Sequence, residues 1–99
     1  MNDIQKVSDI TAEDVWAFLN PAEEMYTDAE NTINMMIRVA IAFIQNYTGR
    51  EDLDAYQDFV ICVLVLCQDM WDNRTMYVDS ENLNYVVRSI LNMHSINLL

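Results

Sequence analysis

The chain has 99 residues, one domain's worth with room for a modest core, and it is 53% hydrophobic with one glycine and one proline. So few turn formers exclude the many tight turns of an all-β fold and favour long helices with few connections. A formal net charge of −11 argues against nucleic acid as a tightly held ligand, because affinity for DNA rests on cations set against phosphates; it does not argue against DNA passing nearby. The longest apolar run, Phe59 to Cys67, is half of the roughly 18 residues a membrane span needs. The acidic, polar N-terminus carries no signal-peptide pattern, and the expectation is a soluble intracellular protein.

In chain order, residues 1–10 read as an irregular arm. "ITAEDVWAFLN" reads as a first helix, with Thr11 as N-cap, Asp14 at the third position and Ile10 placed to staple onto Val15. Val15, Phe18 and Leu19 form its apolar stripe, and Asn20-Pro21 ends it, since a residue before proline avoids the α region. "PAEEMYT" is an acidic connector. A long second helix follows, with Thr27 and Glu30 as a capping box and Ile33, Met36, Ile37, Ala40, Ile41, Ile44 and Tyr47 at helical spacing. Gly49 stands where a left-handed residue closes a helix, and Arg50 stands beside the helix's negative end. A third helix runs from Asp54 as cap, with Gln57 at its third position, to Arg74. Its middle is apolar all round, so it needs cover on several sides: either it is the central helix of the fold or one face meets another subunit. A chain of this length supplies little such cover, which favours an oligomer. "NRTMYVD" connects to a fourth helix capped by Ser80, with Leu83, Val86, Val87, Ile90 and Leu91 as its stripe, and "HSINLL" trails as an acid-free apolar tail suited to docking. The expected fold is all-α, a single domain holding a small bundle of about four helices with two long central antiparallel ones.

Charge is blocked along the chain. Residues 1–30 hold eight acids and one lysine, residues 31–50 no acid and two arginines, residues 51–81 the other eight acids, and residues 82–99 only Arg88 and His94. Copies in a multimer can match such blocks across an interface. A simpler account is that acids collect at helix starts, where the dipole favours them.

Chemistry-bearing residues are few. Cys62 and Cys67 lie five apart on one helix, about 140° around it, so they read as reduced core cysteines. One histidine and no CxxC leave too few soft ligands for structural zinc, and one glycine excludes a Gly-rich phosphate loop. His94 has no nucleophile partner beyond the adjacent Ser95, and reads as a surface residue near a helix C-terminus. Magnesium pyrophosphatases use paired carboxylates, and Glu23, Glu24, Glu51 and Asp54 are the nearest set, but they fall in connectors and caps rather than on one helix face. Trp71 with Arg74 reads either as an exposed stacked pair or as Trp71 packed on the second helix. The seven methionines fall in or beside apolar stripes, as core or as adaptable interface. No catalytic residue, cofactor or metal site is expected.

"AFIQNYTGR" after a long amphipathic helix, then "LVLCQDMWDNR" closing an apolar helix, then "VVRSILNM", resemble in order and spacing the small head–tail connectors of tailed phages. These are head-completion adaptors, often described as possible DNA-packaging proteins. The resemblance covers roughly residues 8–93; where that family often ends on a Pro-Tyr-Arg-like segment, this chain has "NMHSINLL". It implies a helical protomer in a homo-oligomeric ring of about twelve copies. The ring lies beneath the portal protein at the capsid vertex, above stopper or tail-completion proteins. It implies a virion protein, made in the bacterial host cytoplasm, that passes double-stranded DNA without gripping it, takes no cofactor and touches no membrane. Carried over, the portal-contacting tail is His94, Ser95, Ile96, Asn97, Leu98 and Leu99, and the candidates for subunit contacts are Arg38, Arg50, Trp71, Arg74 and Arg88. The reading from another class is an acidic DNA mimic that inhibits a host DNA-binding protein.

Overall fold

A computed structural model of the chain describes residues 6–21 and 26–96. Four α-helices carry the fold: α1 (Ala12–Leu19), α2 (Tyr26–Thr48), α3 (Phe59–Asn73) and α4 (Tyr85–His94). Short 3-10 turns at Val7–Asp9, Leu53–Ala55 and Ser80–Asn82 prepare the starts of the helices, and no strand occurs among the described residues.

Local signals explain most of the helix ends. Thr11 accepts from the Asp14 amide while the Asp14 carboxylate accepts from the Thr11 amide, so the expected capping box opens α1. The helix closes on Asn20, which takes a left-handed conformation (φ 48°) and donates its amide to the Trp16 carbonyl; the extended geometry expected before Pro21 is absent, because asparagine tolerates the left-handed region. The capping box expected at Thr27 does not form. The helix is already running at Tyr26, so Thr27 is internal, and Tyr26 Oη donates to Glu30 instead. At the far end Gly49 is positive-φ (75°) and its amide reaches the Gln45 carbonyl, closing α2 as expected.

Two further caps differ from expectation. Asp54 does not open α3: it sits in the Leu53–Ala55 turn, and its carboxylate takes both the amide and the hydroxyl of Ser8, 46 residues away. Asp52 caps that turn, and α3 starts at Phe59 after Asp58, which makes no side-chain cap bond. Ser80 likewise begins a 3-10 turn capped by Asp79, after which Leu83 is extended and Asn84 caps α4. The end of α3 is a Schellman closure, with the Arg74 amide on Trp71 and the Thr75 amide on Met70, and Arg74 supplies the left-handed residue (φ 54°).

The contacts at each end of the bundle fix its directions. Trp16 of α1 meets both Tyr26 at the start of α2 and Trp71 at the end of α3. At the opposite end Arg50, just after α2, lies over Tyr56, just before α3. Hence α2 and α3 run antiparallel, and His94 beside Asp58 brings the end of α4 to the start of α3. The bundle runs up, down, up, down, with α2 and α3 each packed on α1 and α4.

The core lies around α3. Phe59, Val60, Cys62, Val63, Leu64, Leu66, Cys67, Met70 and Trp71 are all buried within one chain. Of the two readings of α3, the fold makes it the central helix: α1, α2, α4 and the N-terminal turn, through Val7 and Ile10, cover it. Each fully buried side chain of this size contributes about 1.5–3 kcal/mol against exposure. Ile33, Met36, Ile37, Ala40 and Ile44 of α2 face it as expected, with Ile41 and Tyr47 half-buried. Of the expected fourth-helix stripe, Leu83 just before α4 and Val87 and Leu91 on it are buried and Ile90 is half-buried, but Val86 points outward. Cys62 and Cys67 are free and buried, and burial pushes both thiols up to about 12.

Candidate functional site

Two surfaces gather the residues singled out by the sequence. The first is the corner where α2 ends, α3 begins and α4 ends. Thr48, the only buried polar residue among those described, is fully satisfied there. Its hydroxyl donates to the Ile44 carbonyl and accepts from the Arg50 amide, and its own carbonyl accepts from the Ile96 amide at 2.8 Å. Gly49 turns the chain so that Arg50 folds back, donating from Nε to the His94 carbonyl at 2.6 Å with its guanidinium 5.0 Å from the Tyr56 ring centre. A cation on the last carbonyls of α4 also suits that helix's negative end.

His94 is not the surface residue expected. Its side chain is 15% exposed, its Nε2 lies 2.9 Å from Asp58 Oδ2, and its ring stacks on Tyr56 at 4.0 Å and meets Phe59 edge-on. Tyr47 donates to the Asn92 side chain and Ser95 Oγ to the Tyr47 carbonyl. The start of the expected portal-contacting tail is thus seated on this chain's own corner. The Ile96 side chain is exposed, while Asn97, Leu98 and Leu99 lie outside the described residues. Missing from the sequence reading were Thr48, Tyr56 and Asp58; the one available signal was the density of polar and aromatic residues flanking the only glycine.

The second surface is the outer side of α4. At 100° per residue, Val87, Ile90, Leu91 and His94 share the inward arc, and Tyr85, Val86, Ser89 and Met93 share an outward arc of about 100°. Tyr85, Val86 and Met93 are 75%, 57% and 67% exposed. No acid lies on this helix, and Arg88 is exposed beside the arc with Nη2 3.5 Å from the Ser80 carbonyl. The outer side of α2 is also acid-free from Asn31 onward, with Met35, Arg38 and Ala42 exposed along it.

The remaining candidates are spread out. Trp71 is buried, with its ring edge-on to Trp16 of α1, and Arg74 lies 4.7 Å from its ring centre at the other end of the bundle from Arg50. The corner does not bring Arg38, Arg74 or Arg88 together. Near the C-terminal end of α3, Asp69, Asn73, Tyr77, Val78, Asp79 and Asn82 are among the residues lining a groove of about 480 Å³. Burial, and then the neighbouring Asp72, raises the Asp69 carboxyl above its ordinary value, whereas the Asn82 side chain holds Asp79 below it. Ser8 similarly holds Asp54 low. Glu23 and Glu24 lie outside the described residues, and among the described residues no group of three or more His, Cys, Asp or Glu is placed to hold a metal ion. No helix is long and apolar enough to cross a membrane among the described residues. The chain matches no family model, no curated protein and no solved structure.

Proposed function

We propose that this chain is a structural adaptor of a tailed-phage head, a protomer that assembles with copies of itself beneath the portal and bridges to stopper or tail-completion proteins while DNA passes through the ring. The observation that carries the reading is the acid-free, apolar outer face of α4 on a body of net charge −11. A monomer that has already buried its core gains nothing from such a face unless another surface covers it. The motif resemblance supports the same reading. Both quoted helix endings, "NYTGR" and "MWDNR", are structural stops: Gly49 closes α2 and Arg74 closes α3. An acidic body is also suited to a channel that DNA traverses without sticking.

Electron microscopy of the full chain mixed with its cognate portal tests this. A ring stacked on the portal is expected; a portal left bare at saturating protein rejects the reading. Removal of residues 97–99 keeps every corner contact described above, so portal binding that survives this truncation unchanged rejects Asn97, Leu98 and Leu99 as the portal contact.

The high negative charge also favours a DNA mimic of a host DNA-binding protein. Against that reading, Asp14, Asp52, Asp54 and Asp79 are each held in a cap or a hydrogen bond rather than arrayed as free phosphate analogues. A host nuclease or nucleoid protein as the sole stoichiometric partner in a pull-down would select the mimic.

A further inference from the structure

We propose that the groove beside the C-terminal end of α3 binds an alkylguanidinium group, with the Asp69 carboxylate as its anchor. Such a site is independent of how the chain assembles.

The groove's volume of about 480 Å³ falls within the range of small-molecule sites and far exceeds what a single ion fills. Its hydrogen-bonding inventory is one-sided. The side-chain donors are already used within the chain: Asn73 Nδ2 donates to the Asp69 carbonyl, Asn82 Nδ2 to Asp79 Oδ2 and the Thr75 hydroxyl to the Tyr77 carbonyl. The acceptors are not used. The Asp69 carboxylate accepts no hydrogen bond from a described residue, and neither do the Asn73 and Asn82 side-chain oxygens. A groove lined in this way suits a ligand rich in N–H donors and offers little to an anion.

Charge selects in the same direction. The neighbours that act on Asp69 are burial and Asp72, both of which disfavour its carboxylate, and no cation of this chain offsets them. Asp79 is steadied by Asn82 rather than by a cation. The two arginines at this end of the bundle are occupied, Arg88 at the Ser80 carbonyl and Arg74 over the Trp71 ring. A guanidinium fits better than an ammonium because its planar fork grips a carboxylate with two parallel hydrogen bonds and keeps further donors for amide oxygens nearby. Tyr77, 64% exposed on the same lining, offers a ring face to the cation.

The test titrates butylguanidinium into the full chain and follows the backbone amide NMR spectrum. Shifts are expected to cluster at Asp69, Asn73, Tyr77 and Asn82, and tetramethylammonium, which has the charge but no N–H, is expected to leave them in place. Asp69→Asn is expected to weaken binding by roughly tenfold, the worth of a charge-assisted hydrogen bond, with no fall in thermal midpoint. Glu51→Gln, which removes the same charge at the opposite end of the bundle, should change affinity little. A tripeptide Gly-Arg-Gly separates the two sources of the group. If it binds as well as butylguanidinium, an arginine of another protein can supply the ligand; if it is excluded while butylguanidinium binds, the ligand is a free solute. The proposal is overturned if butylguanidinium produces no shifts, if the shifts scatter over the acidic surface, if tetramethylammonium matches them, or if Asp69→Asn binds as tightly as the wild type.

Discussion

The two sides of α4 differ in what completes them. Its inner side and C-terminal end are finished by this chain: Val87 and Leu91 are fully buried, His94 sits between Asp58 and Tyr56, and Arg50 takes the His94 carbonyl. Its outer side has comparable apolar character in Tyr85, Val86 and Met93 and is left in water. The difference teaches that the apolar content of this sequence is not one pool. The part spent on α3 makes a monomer, and the part spent on the outside of α4 is surplus to folding.

Substitutions break this comparison in graded steps. Phe59→Ala at the corner removes a fully buried ring that also supports His94; a loss of about 3–5 kcal/mol is expected in urea unfolding, against no more than about 0.5 kcal/mol for Tyr85→Ala on the outer face. Equal losses at the two sites would dissolve the distinction. Thr48→Val keeps the shape but strands the Arg50 amide, and about 1–3 kcal/mol should go with it. Gly49→Ala forces a Cβ into the left-handed region and should cost about 1 kcal/mol, read as a lower thermal midpoint.

The smallest effect is in acid. Asp54 and Asp79 have folded values below the ordinary 3.8, so their contribution is complete above that value and is lost as pH falls through the lower folded ones. Asp69, raised, works the other way: its carboxylate is disfavoured in the fold, and protonation as pH falls through its raised value relieves that penalty. An acid titration of Asp54→Asn should therefore show a shallower decline below pH 3.8 than wild type, while Asp69→Asn should be less dependent on pH above it. An Asp54→Asn curve that overlays the wild type would remove Ser8 as a useful partner.

What could be read from sequence follows how local each cause is. The Thr11–Asp14 box, the stripe from Ile33 to Ile44 and the Gly49 closure depend on neighbours within one or two turns, and all were legible. The start of α3 was not. Asp52, Asp54 and Asp58 are equivalent candidates along the chain, and the choice among them is settled by Ser8, which withdraws Asp54 from capping duty. His94 was misjudged for the same reason, since Asp58 and Tyr56 reach it from 36 and 38 residues back. The cover over α3 was underestimated because the N-terminal arm read as irregular, although Val7 and Ile10 pack into the core. On the outer side of α4, Val86 was assigned to the buried stripe because the predicted helix began too early, at Ser80 rather than after Asn84.

Cys62 and Cys67 give this molecule an internal clock. With both thiols buried and held near 12, almost no thiolate is on offer at neutral pH, and a reagent must wait for the bundle to open before it can label either one. The rate of alkylation then reports how often α3 is uncovered. The same measurement on the free chain and on an assembled ring would reveal whether covering the outside of α4 slows the opening of the inside.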